Sequence, residues 1–371
     1  MSAVSTANPA LSSEEAAGKI GGVIASAADD SPWLRGAAYD LCFFSFPWIP
    51  FLFLVVFGFE WRNGFGISEN ADNLLLIAGF LFALNFAHRN YTYLVAYGDA
   101  GVFGTRKALF TVCPFVVFAA VIFTHYFRDG YFEEPLVAAL GLWNMWHVIM
   151  QRHGLLRGYA RRIKHGFEQP RHGSLDLALL WGMVLFTLAL GTPLHLPVLE
   201  SSELARPTVD VVAPFFTAYP LALAAISGAL LLAVGACWAR AELQQAVGFK
   251  QRLPRLVFLL SNAGLFGLCL YSPVLGILAF GFSHSVEYIG YVHTVQKRKI
   301  ETAQYRGLLA GFFWNHMLLG AGILTGIQGL TFYYGEDILG LELFAIGTGA
   351  LHFFYDGFIW KKSKKINTWA I

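Results

Sequence analysis

Residues 273–295 read PVLGILAFGFSHSVEYIGYVHTV, an apolar run interrupted by a few polar side chains. A helix that crosses a bilayer needs about 20 mostly apolar residues, so this stretch predicts a transmembrane helix. Its polar residues His284, Glu287 and Tyr288 stand three or four positions apart, and such positions share one face of a helix. The stretch therefore predicts a membrane helix with a polar stripe on one face.

The same pattern recurs in three other apolar runs. Each contains a histidine with polar neighbours at helical spacing. The three stripes are Asn85, His88 and Thr92; Asn144, His147 and Gln151; and His352, Tyr355 and Asp356. Ionisable side chains are costly inside a membrane and usually mark functional sites there. The four stripes are therefore candidates for a shared site.

The composition predicts an all-α, polytopic integral membrane helical bundle. Of the 371 residues, 56% are hydrophobic and 13% are charged, against about 25% charged in a typical soluble domain. We predict a mobile N-terminal tail over 1–32 and a single transmembrane domain over 33–371. About ten spans are expected, over 38–58, 73–97, 107–127, 135–158, 174–192, 212–238, 254–271, 273–295, 306–330 and 338–360.

Basic residues predict the orientation of this bundle. Lys and Arg concentrate in the loops after even-numbered spans, as in Arg161-Arg162 and Lys297-Arg298-Lys299, and such loops are usually cytoplasmic. Both termini are therefore expected in the cytoplasm, in a multi-pass protein of a bacterial inner membrane. The net charge of +2 gives no indication of a nucleic-acid partner. The four cysteines form no CxxC pair and support no thiolate metal site.

The orientation places the histidines at one depth. The histidines of the four stripes stand about 10 residues before the predicted cytoplasmic end of their helix, or roughly 15 Å inside the membrane. His316 stands as deep in the ninth span, which enters from the cytoplasmic side. A common depth on five helices favours a shared site.

The residue types at this depth suit a metal. Imidazole binds iron, copper and zinc, and carboxylates extend the preference toward iron or manganese. We therefore predict one or two non-haem iron ions, with Glu287, Asp356 and Tyr288 as catalytic groups. The candidate metal ligands are His88, His147, His284, Glu287, His316, His352 and Asp356.

Other interpretations of these residues remain open. A single membrane histidine often hydrogen-bonds neighbouring helices instead of binding a metal. Asn85, Asn144, Gln151 and Tyr288 are interpreted as partners that orient the imidazoles. We expect Arg89, Arg152 and Arg157 to extend to cytoplasmic headgroups. The alternative is that these arginines receive an anionic substrate group.

The kind of site that this pattern predicts resembles the sites of the membrane histidine-rich non-haem iron oxygenases. These include the fatty-acid desaturases and hydroxylases, the alkane monooxygenases and the carotenoid-cleaving membrane oxygenases. The chain lacks the HxxxH and HxxHH boxes of the desaturase group, and its histidines stand singly with Glu287 and Asp356 beside them. The resemblance implies O2 chemistry at a histidine-bound iron. It does not identify which residues of this chain are the ligands.

These observations predict a membrane-embedded, metal-dependent oxidoreductase that acts with O2 on a lipophilic substrate from the bilayer. Because the sequence contains no flavin, NAD or haem-attachment motif, a separate electron donor protein is expected. Two alternatives stay open: a proton-coupled membrane transporter, and a bis-histidine haem protein that transfers electrons. The sequence identifies neither the substrate nor the oligomeric state.

Overall fold

A computed structural model describes residues 31–55, 71–126, 133–163, 167, 169–201, 206–301, 308–333 and 339–360. Within these ranges the chain forms α-helices and one short π-helical turn, Leu41–Ser45, and it contains no β-strand. The all-α prediction is confirmed for this part of the chain. The predicted tail over 1–32 lies outside the described residues except for its last two.

Fourteen α-helices are found in the described ranges. They are α1 (Ala37–Asp40), α2 (Trp48–Val55), α3 (Ala71–Gly98), α4 (Ala100–Thr105), α5 (Lys107–Tyr126), α6 (Glu133–Ile163), α7 (Pro170–Glu200), α8 (Arg206–Ala218), α9 (Pro220–Leu243), α10 (Phe249–Tyr271), α11 (Pro273–Glu301), α12 (Leu308–Asn315), α13 (Met317–Tyr333) and α14 (Leu339–Ile359).

Four of the described helices, α5, α7, α9 and α10, are long and apolar enough to cross a membrane. Three further helices have a similar length: α3, α6 and α11, with 28, 31 and 29 residues. Each of them contains one of the polar stripes.

The helix α11 lies between the two main hydrophobic cores. Tyr288, Ile289 and Val292 belong to a core with residues of α3, α5 and α14. Phe280 and Tyr291, on other faces of α11, pack against a core with residues of α6, α7 and α10. Helix α11 is consequently buried along most of its second half, where His284 and Glu287 are located.

The chain reverses between α10 and α11, as the sequence predicted at Tyr271-Ser272-Pro273. Ser272 has an extended backbone, with φ −148° and ψ 110°, and Pro273 begins the next helix. The two helices approach closely at Gly276, where a Cβ atom would lie 2.5 Å from the Cα of Cys269. Only glycine allows this approach without displacement of the backbone.

Three predicted spans are interrupted. The predicted helix 212–238 is wrong as a single element, because α8 ends at Ala218 and Tyr219 adopts φ −140° and ψ 63°. The cause is Pro220, which disfavours a helical conformation in the residue before it. Span 306–330 is divided into α12 and α13 at His316, and span 38–58 is interrupted before Trp48. Pro47 has no N–H group to continue the helical ladder there.

Candidate metal centre

Four buried histidines from four helices form one cluster. His88 of α3, His147 of α6, His284 of α11 and His352 of α14 are at most 5% exposed. The ring centroid of His88 lies 4.8 Å from that of His284 and 4.7 Å from that of His352. The His147 centroid lies 5.1 Å and 4.9 Å from the same two rings. The four imidazoles therefore form a closed circuit, and the structure brings together four of the five predicted histidines.

Three ring nitrogens of this cluster have no hydrogen-bond partner among the described residues. The Nε2 atoms of His88 and His352 lie 3.1 Å apart. Among the described residues, neither ring nitrogen of His284 has a hydrogen-bond partner, and neither does Nε2 of His147. Buried polar atoms are nearly always hydrogen-bonded, so several orphaned nitrogens in one cluster indicate that a further group belongs there.

Asp356 lies beside the cluster, one turn after His352. Its Oδ1 accepts hydrogen bonds from Tyr288 at 2.7 Å and from Thr92 at 3.0 Å. Its Oδ2 lies 3.8 Å from Nε2 of His147 and 3.9 Å from Nδ1 of His352. This oxygen is buried and makes no hydrogen bond to the part of the chain that the structure describes. One oxygen of Asp356 is thus held by hydroxyl groups, and the other faces the histidines.

Two overlapping groups of these residues have the geometry to hold a metal ion. His88, His284 and His352 each offer a ligand atom within 4.8 Å of the others, and so do His147, His352 and Asp356. His352 belongs to both groups. Each group is therefore a candidate site for one ion.

Glu287 is not part of either group, contrary to the predicted ligand set. Its Oε1 accepts from the Arg152 guanidinium at 2.7 Å and from the Ser283 hydroxyl at 2.6 Å. Arg152 also donates to Asn262 of α10 at 2.8 Å, and its side chain is fully buried. The expectation that Arg152 extends to lipid headgroups is therefore wrong, because a carboxylate inside the bundle binds its guanidinium.

His316, another predicted ligand, is also outside the cluster. It stands at the break between α12 and α13, and its side chain is exposed. Its ring packs on Phe312, with 5.2 Å between the centroids. The break redirects the chain, so a depth counted along one continuous helix does not apply at this residue.

The predicted imidazole partners also differ in their positions. Gln151 donates to the backbone oxygen of His284 at 3.2 Å, whereas Asn144 is exposed and orients no imidazole. Tyr288 contacts Thr92 and Asp356 with its hydroxyl, and its ring lies against those of His88 and His352.

The chain matches no protein-family model, no curated protein and no solved structure significantly. The candidate site is therefore interpreted from its own chemistry.

The sequence analysis did not predict a second network of buried charges. Arg255 of α10 donates to Asp176 of α7 at 2.8 Å and to Glu242 of α9 at 2.6 Å. Trp238 donates to Asp176 at 2.9 Å. Asp176 stands alone in an apolar helix, and that was a signal of a buried charge with a partner on another helix.

Proposed function

We propose that this chain is a membrane metalloenzyme, an oxidoreductase that uses a non-haem iron centre and O2 to oxidise a lipophilic substrate from the bilayer. The observation that supports this proposal best is the circuit of four buried imidazoles with orphaned nitrogens. In it, His88, His147, His284 and His352 would hold the metal. The free oxygen of Asp356 would add a carboxylate ligand or accept a proton there.

The distances suit metal binding in each of the two groups that share His352. Two nitrogens bound at about 2.1 Å to one metal, at right angles to each other, lie about 3.0 Å apart. The Nε2 atoms of His88 and His352 are separated by 3.1 Å.

The donor set favours iron among the metals that imidazole binds. Zinc and copper accept sites made of histidine alone, and a neighbouring carboxylate shifts the preference toward iron or manganese. Bound iron would supply the activation of O2. The protein itself would keep bulk water out of the site, because the four histidines and Asp356 are all buried. Tyr288 would hold Asp356 in place through its hydrogen bond to Oδ1.

The proposal includes ten membrane spans with both termini in the cytoplasm of a bacterium. The four helices of sufficient length and apolarity support a membrane location, and the basic loops of alternate spans support the orientation. In that orientation the metal site lies in the cytoplasmic half of the bundle. A separate cytoplasmic electron donor would then approach the basic surface.

The haem alternative is less well supported by the geometry. A bis-histidine haem needs its two axial nitrogens about 4 Å apart, on opposite faces of a macrocycle that lies between them. The Nε2 atoms of His88 and His352 are only 3.1 Å apart, and two further imidazoles close the circuit. The four rings leave no gap for a porphyrin in this arrangement.

Elemental analysis with an absorbance spectrum tests the proposal. We expect one or two equivalents of iron in the purified full chain and no Soret band. His147→Ala and His284→Ala should each remove the metal while the protein still folds. His153→Ala, on the same helix as His147, and His316→Ala are matched controls that should retain it. A Soret band would indicate the haem alternative, and a metal-free, folded wild-type protein would favour a transporter.

A further inference from the structure

The hydrogen bonds around His352 determine which of its ring nitrogens carries the proton. We propose that Thr92 is a positioning residue, which holds the proton of His352 on Nδ1 so that Nε2 presents a lone pair to the metal. This inference rests on the proposed metal site and extends it by a residue that is not itself a ligand.

Four contacts connect Thr92, Tyr288, His352 and Asp356. The Thr92 hydroxyl oxygen lies 2.5 Å from the Tyr288 hydroxyl, 2.7 Å from Nδ1 of His352 and 3.0 Å from Oδ1 of Asp356. The Tyr288 hydroxyl completes the set at 2.7 Å from the same carboxylate oxygen. Each contact needs one proton between its two atoms, or it places two lone pairs against each other.

Counting the protons compares the two tautomers of His352. The two hydroxyl groups supply one proton each, and an ionised carboxylate supplies none. With Asp356 ionised, His352 protonated on Nδ1 gives three protons for the four contacts. The other tautomer gives two, and it places a proton between the Nε2 atoms of His352 and His88 instead. The Nδ1–H tautomer is favoured because it leaves the Thr92 hydroxyl free to donate to the ionised carboxylate, and hydrogen bonds to an ionised acceptor are stronger than neutral ones.

Ser285 has the corresponding effect on His88. Its hydroxyl donates to the backbone oxygen of Gly281 at 2.9 Å, so only its lone pairs face Nδ1 of His88 at 3.3 Å. His88 must then donate from Nδ1, which leaves a lone pair on its Nε2 as well. The two Nε2 atoms, 3.1 Å apart, therefore face each other without a proton between them. A cation in contact with both nitrogens removes their repulsion.

Replacing Thr92 separates this role from simple packing. Thr92→Val keeps the shape of the side chain and removes the hydroxyl, so His352 is free to move its proton to Nε2 and to hydrogen-bond His88. A protonated Nε2 cannot bind a metal. Thr92→Ser keeps the hydroxyl. Thr294→Val is the control, because the buried Thr294 hydroxyl donates to Gly290 of its own helix, at 2.8 Å, and lies outside the network of Thr92, Tyr288, His352 and Asp356.

The experiment has two readouts on the full chain in lipid bilayers. The first is the 15N spectrum of histidine-labelled, metal-free protein, in which the signals of His352 are those lost in His352→Ala. We expect Nδ1–H at His352 in wild type, Thr92→Ser and Thr294→Val, and a change of tautomer in Thr92→Val. The second is titration with Co2+ followed by absorbance, in which Thr92→Val should weaken binding by about 10- to 100-fold.

The two readouts separate the two proposals. An unchanged His352 tautomer and unchanged Co2+ affinity in Thr92→Val would overturn the role of Thr92. A wild-type chain with the expected tautomer that binds no Co2+, Fe2+ or Zn2+ would overturn the metal site and would leave the effect of Thr92 on the tautomer standing. Loss of both properties in Thr92→Ser as well would also overturn the inference, since the hydroxyl is then not the group that acts.

Discussion

At the scale of the residue, the two buried carboxylates near the histidines have different partners. Glu287 accepts from the Arg152 guanidinium, whereas Oδ1 of Asp356 accepts from two neutral hydroxyl groups. The charge of Glu287 is thus balanced within the protein. Oδ2 of Asp356 has no hydrogen-bond partner among the described residues, so under the proposed function the charge of Asp356 would balance that of the metal ion.

Helical geometry explains why Asp356 faces the histidines while Glu287, predicted in the same set, faces Arg152. Successive residues are rotated by about 100°, so positions four apart differ by about 40° and positions three apart by about 60°. Asp356 follows His352 by four positions, and Tyr288 follows His284 by four; both face the cluster. Glu287 follows His284 by three and turns toward Arg152. The periodicity contains no information on that partner, which comes from another helix.

We expect Glu287→Gln to lower stability while the metal is retained. The substitution leaves the Arg152 charge buried without a counter-charge, and breaking such a pair costs about 3–5 kcal/mol. Unfolding in detergent and elemental analysis measure the two effects. Arg152→Met combined with Glu287→Gln should be less destabilised than Glu287→Gln alone. A stable Glu287→Gln variant that has lost its metal would show that Glu287 is a ligand.

Asp356→Asn should instead weaken the metal site. The amide retains the shape and loses the charge, so we expect a metal affinity about 10- to 100-fold lower, measured by competition with a chelator. Asp210→Asn is a suitable control, because Asp210 lies in an exposed ion pair with Arg206. Equal affinities in the two variants would remove Asp356 from the site.

At the scale of the element, the position of α11 depends on its contact with α10. We expect Gly276→Ala to cost about 1–3 kcal/mol of unfolding free energy, because the added methyl group overlaps Cys269 and forces a backbone shift. Gly281→Ala on the same helix is the control, since a Cβ there meets no atom within 4 Å. Unfolding curves of both variants test this, and equal stability would show that the two helices adapt without strain.

The helix boundaries were predictable where proline marks them and less so elsewhere. Pro273 was recognised as the start of a helix, and the same rule would have divided 212–238 at Pro220. The break at His316 has no neighbouring proline, and Asn315-His316-Met317 offers no local signal for it. A Cβ at Gly320 would lie 2.8 Å from the Phe313 ring, so α12 and α13 are in close contact on the two sides of the break.

At the scale of the whole molecule, the ten-span topology is tested by labelling. Single cysteines in place of His165 and Glu336, in a chain with its four native cysteines replaced, should be accessible from opposite sides of the membrane. A membrane-impermeant thiol reagent, applied to intact cells and to inverted vesicles, distinguishes the sides. Access from the same side would contradict the proposed arrangement.

Removal of the metal should destabilise the entire bundle. A ligand that binds only the folded state stabilises it by about 2.7 kcal/mol when present at about 100 times its Kd. Because the candidate ligands lie on α3, α6, α11 and α14, this stabilisation would extend across helices far apart in the sequence. We expect a chelator to lower the thermal unfolding temperature of wild type and to leave that of His284→Ala unchanged.

The distribution of the histidines along the chain also has a consequence for biogenesis. His88 and His352, which face each other, are 264 positions apart. At about 5–20 residues per second, a ribosome needs roughly 10 to 50 seconds to synthesise the chain between them. Under the proposed function, the metal site could therefore be completed only after α14 has been synthesised, and iron would enter the site after that helix has been inserted. A truncated polypeptide that ends before α14 should consequently bind less iron in the membrane than the full chain.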